Sequence, residues 1–364
     1  MNRQKRDPLD PVFASCGTSW RLILGLLEAG DLGDSFRQTI TFAGDSDREL
    51  LTSIGDVNAW LETTGRAELQ VRALRRIHFP ALTSDFLHFV DHSLRAARDR
   101  APTVAWALVR KPLQEVLGVM ELMAVEPEGY VAKIASDPKQ LHMPRVGGTE
   151  AHIARIEAVL RMTDCTDLFD AEFIARARYD KHFTDGLAAD ADRAMHLFTD
   201  HKAITTPRYR VNLVLAEPDE QEVQIQHLLG LSFYLLEYSR RVFTHVFERF
   251  EHRTHPDFTP DVDRRALAAA IVAVRAWDRE SVPPAFVRLH DAAAARLDAS
   301  CALAGGRAPK TMEEVRALAQ SGDVPGESAT QRLARRLLHA QTNAVYGISK
   351  RLGLRFKADD KSAE

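Results

Sequence analysis

The sequence predicts an all-α protein: a multi-helix bundle with flanking helical segments and at most one short extended segment. Three observations carry this prediction. Apolar residues recur at three- and four-residue spacing along most of the chain. Prolines and Ser/Thr-x-x-Glu capping boxes punctuate these runs where helices start. Only the stretch 211–215 is rich in β-branched residues, and one strand builds no sheet.

The elements follow in order. Ser46-Asp47-Arg48-Glu49 reads as a capping box, and Leu50, Ile54, Val57 and Leu61 continue it at helical spacing until Gly65. A short helix over 67–78 should stop at His78-Phe79-Pro80, because the residue before a proline avoids helical geometry. The next helix, 83–100, has Leu82, Phe86, Phe89, Val90 and Leu94 as its apolar face. A longer run, 102–134, opens on Pro102, and Pro112 inside it should kink or split it. Residues 135–148 read as a loop, followed by helices at 150–162, 167–178 and 189–202.

The strongest helix spans 219–252 and is apolar nearly all round from 228 to 236, which implies burial on several sides. A linker at 251–260 precedes helices from Thr259-Pro260 to about 278, at 283–304, at 311–321 (capped by Thr311-Met312-Glu313-Glu314) and at 328–352. This pattern suggests an N-terminal helical segment at 1–78, a central bundle at 79–250 and a C-terminal helical segment at 256–364.

Composition narrows the function classes. Of 364 residues, 45% are hydrophobic and 27% charged, ordinary values that exclude a disordered chain. A net charge of -3 gives no global case for nucleic acid or an anionic membrane, although a local basic patch remains open. Cys16, Cys165 and Cys301 are far apart and form no CxxC, which suggests free, buried thiols in a reducing compartment. No secretory signal and no apolar run of membrane-spanning length is present, so a cytoplasmic location without a membrane partner is expected. The chain has no phosphate-binding GxxxxGK[ST], no GxGxxG after a strand, no HExxH and no GxSxG, and its residues single out no cofactor.

Several side chains are candidates for chemistry. Asp85, His88 and His92 share one helix face at spacings that suit a zinc or iron site, and equally suit a solvated face. Glu248 and His252 are also four apart, but a di-iron bundle needs Glu-x-x-His pairs that are absent. His182, His196 and His201 gather around the 189–202 helix. His196, beside Leu197 and Phe198, is expected to point inward as an acid/base or ligand-binding group or as a core histidine. Arg110 on an apolar helix wants a carboxylate or an anionic ligand, with Glu115 and Glu121 nearest in sequence.

Arg240 and His245 stand at Arg-x4-His spacing on the strongest helix. This resembles the Arg-x4–6-His motif of HEPN ribonucleases, helical bundles common in bacterial toxin and phage-defence systems. The resemblance implies a homodimer in which Arg240 and His245 act on an RNA phosphate and 2′-hydroxyl. Such a pair makes chemical sense: a cation holds the phosphate and an imidazole moves the proton. Arg241 departs from the family, standing where a small polar residue usually follows. The stretch 179–215 is similar to segments of helical bacterial proteins and implies a bacterial, cytoplasmic origin. The competing expectation is a non-catalytic helical interaction protein that forms a homodimer through apolar surfaces.

Overall fold

A computed structural model of the chain describes residues 9–143, 146–213, 217–250, 258–277 and 282–334. Those residues form fourteen α-helices and no strand, so the fold is all-α as the periodicity predicts. In chain order they are α1 (Asp10–Leu32), α2 (Asp45–Ile54), α3 (Val57–Thr63), α4 (Ala67–Arg98), α5 (Pro102–Arg110), α6 (Leu117–Val125), α7 (Pro127–Ser136), α8 (Gly148–Met162), α9 (Ala171–Tyr179), α10 (Leu187–Met195), α11 (Pro218–Glu248), α12 (Phe258–Val274), α13 (Pro284–Leu303) and α14 (Met312–Ser321).

The centre is α11. From 228 to 247 every residue except His245 is buried, which the all-round apolar run anticipated. Helices α1, α4, α5, α6 and α12 pack around it. Helix α12 in turn carries α13 and α14. One apolar core runs from Leu9 to Val324, and residues from all three predicted segments line it. Cys16, Cys165 and Cys301 are free and buried within it, and burial pushes the Cys16 thiol up to about 12. Among the described residues no helix is long and apolar enough to cross a membrane.

Local expectations met mixed outcomes. The 46–64 run divides at Gly55, whose backbone is left-handed (φ 72°). Asp56 then caps α3 by accepting from the Ala59 N–H at 2.7 Å. Ser46 is not the cap of α2, which starts at Asp45 with no side-chain cap. Thr311 does cap α14, accepting from the Glu314 N–H. The stop predicted before Pro80 is absent: α4 runs straight through it, so the 78/79 boundary falls inside a helix. Packing explains this. Phe79 is fully buried against the rings of Phe243, Phe247 and Phe250, at 6.2, 6.2 and 5.3 Å. Contacts of that size outweigh the roughly 3 kcal/mol that an internal proline costs. The extended segment expected at 211–215 is not a strand at Val211, Asn212 and Leu213, and Val214 and Leu215 lie outside the described residues. Most of the predicted 251–260 linker and of the 328–352 helix lies outside them as well.

Pro112 acts as predicted, by a specific route. Between α5 and α6 the chain makes one π-helical turn, Lys111–Val116. The widened turn offers the Leu113 and Gln114 carbonyls to Arg178 and Tyr179 on α9. Arg178 is fully buried and donates from Nε to the Leu113 carbonyl at 2.6 Å. Its Nη2 donates to the Tyr179 hydroxyl at 2.7 Å, and its Nη1 pairs with Glu121 of α6. Glu121 also accepts from Arg155 Nε of α8 and from the Tyr238 hydroxyl of α11, each at 3.0 Å. Burial alone would raise the Glu121 carboxyl, but Arg178 and Arg155 overcome it and hold it below the usual carboxylate range. Four helices thus meet on one buried carboxylate, and the π turn joins them through Arg178. Gly118 lies beside this junction because a Cβ there would come within 2.5 Å of Met143.

Removing one partner of this pair should cost far more than removing both. Arg178→Met is expected to destabilise by about 3–5 kcal/mol, since it strands a buried carboxylate. The double variant Arg178→Met with Glu121→Leu should recover much of that loss in urea denaturation.

Candidate functional site

The structure does not bring Arg240 and His245 together. Five residues on a helix separate their directions by about 140°. Arg240 points toward α12 and is fully buried. It pairs with Glu237 (Nη2 to Oε1, 2.8 Å) and with Asp263 (Nη1 to Oδ1, 2.8 Å). Burial opposes its charge, but Glu237 and Asp263 outweigh burial and raise its pKa. Arg241 joins through Nη1 to Asp263 at 2.7 Å, and Ser19 of α1 donates to Glu237 at 3.3 Å. An arginine neutralised in this way has no charge to spare for a scissile phosphate. The RNA-cleaving role expected of this pair therefore loses its cation to the core. His245 instead lies half-buried, within electrostatic reach of Arg75 on α4 and Arg249.

The metal reading is corrected in a similar way. Asp85 pairs with Lys111 Nζ at 2.7 Å, while His88 and His92 are exposed on the outer face of α4. Among the described residues no group of three His, Cys, Asp or Glu is arranged to hold a metal ion. The solvated-face alternative describes these residues. Of the Glu248/His252 pair, Glu248 is exposed and His252 lies outside the described residues.

Arg110 finds a carboxylate, but neither of those nearest in sequence. It faces Asp192 of α10 at 3.9 Å, and Lys181 pairs with the same side chain. Glu121 is already held by Arg178 and Arg155. His182 is exposed, with its ring 5.8 Å from that of His201. His196 is exposed as well, contrary to expectation, because α10 ends at Met195. Leu197 and Phe198 therefore do not continue a helical face. They stand in a loop, 60% and 68% exposed.

That loop, 196–213, combines exposed aromatic and basic side chains, and it is ordered by its own polar groups. Thr206 N–H donates to the Thr199 carbonyl at 2.9 Å, and Thr199 N–H donates to Thr206 Oγ1 at 2.8 Å. Buried Asn212 donates from Nδ2 to the His196 carbonyl at 2.9 Å, while its backbone N–H donates to the Leu197 carbonyl at 3.1 Å. Ile204 anchors the loop in the interior. Phe198 and Tyr209 are both exposed in it, the latter by 99%. Lys202, Arg208 and Arg210 are exposed beside them, and none of the three has a carboxylate partner among the described residues. The loop's one acid is Asp200. The signal was present in the sequence as Arg208-Tyr209-Arg210, but what mattered was the exposure of the aromatics, which a sequence pattern does not report.

A second, buried histidine sits at the edge of the Glu121 junction. His152 stacks on Tyr179 with ring centroids 3.9 Å apart, and its Nδ1 accepts from Arg155 at 2.9 Å. Burial, reinforced by Arg155 and Arg178, pushes it down to about 4. It is thus a neutral structural imidazole at pH 7.

No known protein family, curated protein or solved structure matches the chain, so the reading rests on this geometry.

Two outcomes are expected. Arg240→Met should lower stability by about 3–5 kcal/mol in chemical denaturation, because it leaves Glu237 buried without its main partner. The His152 contribution should be fully present above pH 6.5 and lost as pH falls from 6.5 toward 4, because the folded state resists the proton that the unfolded chain takes up. Denaturation midpoints measured across that window should rise with pH, and less steeply in His152→Gln.

Proposed function

We propose that this chain is an RNA-binding helical protein that contacts single-stranded RNA through the 196–213 loop and does not cleave it with Arg240 and His245. The observation that carries this reading is the exposure of Phe198 and Tyr209 beside three cations without carboxylate partners. Single-stranded nucleic acid is bound by aromatic faces that stack on bases and by a basic surface that follows the phosphates. The chain's net charge of -3 makes the concentration of positive charge in this loop local. The loop's internal hydrogen bonds support the same reading, since a preorganised platform loses less entropy on binding.

The exposed Met195 and Leu197 at the same end favour a second reading, a protein-docking surface through which two copies of the chain associate. The two readings separate by salt dependence. RNA binding held by phosphates weakens steeply with salt, whereas apolar association does not.

The deciding measurement is fluorescence anisotropy with a labelled single-stranded oligouridine, alongside sedimentation of the protein alone. Phe198→Ala and Tyr209→Ala should each weaken binding by roughly 5- to 100-fold, the usual worth of one stacked base. The pair Arg208→Ala and Arg210→Ala should make the salt dependence shallower by about two phosphate contacts. RNA affinity unchanged in all of these variants, or absent in the native protein, would remove the RNA reading. A salt-insensitive dimer broken by Leu197→Asp would put the interaction-protein reading in its place.

A further inference from the structure

Among the described residues most buried charges of the core are paired, and Arg75, on the far side of α11 from Arg240, is not. Arg75 of α4 is only 7% exposed, yet its Nε and Nη2 have no hydrogen-bond partner. These two nitrogens form one edge of the guanidinium, the edge that grips two oxygens of a planar or tetrahedral oxyanion side by side. The guanidinium lies over the Phe250 ring at 5.5 Å, which holds its plane. His245 of α11 is within electrostatic reach, and its Nε2 is likewise buried without a partner. Arg249, the C-cap of α11 one turn beyond His245, is exposed and adds a second guanidinium.

Among the described residues no carboxylate pairs with Arg75 or Arg249. The opposing charge that acts on Arg75 is Glu128 at the start of α7, which acts through space and makes no hydrogen bond to it. Burial, reinforced by Arg249, disfavours the charge of Arg75, and burial, reinforced by Arg249 and Arg75, disfavours protonation of His245. Fold geometry alone gives no reason for this arrangement. Arg76, the neighbouring buried arginine, donates to the Arg37 carbonyl at 2.5 Å. A buried guanidinium fork without an acceptor costs stability, and like charges beside it add to that cost. An oxyanion relieves both at once.

We propose that Arg75, His245 and Arg249 form a binding site for a single phosphate group, borne by inorganic phosphate or by a phosphate monoester. The fork of Arg75 takes two phosphate oxygens, and His245 Nε2 supplies a third hydrogen bond. Arg249 closes the exposed side, so that two arginines balance a dianion. A carboxylate would satisfy the fork but leave Arg249 uncompensated. The site is independent of the 196–213 loop and of the RNA reading.

The test is isothermal titration calorimetry of the full chain with sodium phosphate, adenosine 5′-monophosphate and sodium acetate. Phosphate or the monophosphate should bind and acetate should not. Tighter binding of the monophosphate assigns the ligand as an organic monoester, and equal or weaker binding assigns free phosphate. Arg249→Ala, at an exposed position that folding tolerates, should weaken binding by roughly 10-fold or more, the usual worth of one charged hydrogen bond. Arg75→Met should abolish it, with circular dichroism confirming that the variant folds. If Arg75→Met fails to fold, Arg249→Ala decides alone. Acetate binding as well as phosphate, no binding of either phosphate compound at millimolar concentration, or binding that survives Arg249→Ala would each overturn the proposal.

Discussion

The Glu121 carboxylate organises the centre of this protein. It is fully buried, and it accepts from Arg178, Arg155 and Tyr238, on three different helices. A buried carboxylate is tolerable only if its partners are present and well aimed. That requirement constrains the π turn after Pro112, because the same Arg178 must also reach the Leu113 carbonyl. It sets the distance between α6 and α9, and it holds Tyr179 where His152 can stack on it. The irregular turn is thus a condition of the ion pair rather than a defect in the helix.

The same rule, applied elsewhere, separates structural from functional charge. Arg240 and Arg241 are absorbed by Glu237 and Asp263, so the sequence feature that looked most like catalysis is part of the core. Arg110 and Lys181 share Asp192, and Asp85 is taken by Lys111. Two groups of cations without carboxylate partners stand out among the described residues. One is the loop bearing Lys202, Arg208 and Arg210, where water solvates the charge and exposed aromatics stand alongside. The other is Arg75 with His245 and Arg249, where burial leaves donors unanswered. The ligands proposed for the two groups differ accordingly: a flexible polyanion at the surface and one compact oxyanion at the enclosed fork.

His245 shows how spacing along one helix can suggest a pair that the fold separates. Its spacing from Arg240 suggested a catalytic pair, but the helix turns the two side chains about 140° apart. The arginines that act on His245 are Arg249, one turn away, and Arg75, on a helix 170 residues earlier in the chain. No spacing rule within one helix reaches that far.

What the sequence alone determined is local or periodic. The all-α class, the burial of α11, the interruption at Pro112 and the Thr311 cap each depend on residues within a few positions of one another. What only the tertiary structure decided depends on partners distant in sequence. Phe79 packing on α11 carries α4 through Pro80, and the end of α10 at Met195 turns Phe198 outward. Asp263 neutralises Arg240, and Glu121 neutralises Arg178. Charge pairing in a low-dielectric core acts through space, so the sequence shows which side chains carry charge and only the fold shows which of them are left with charge to use.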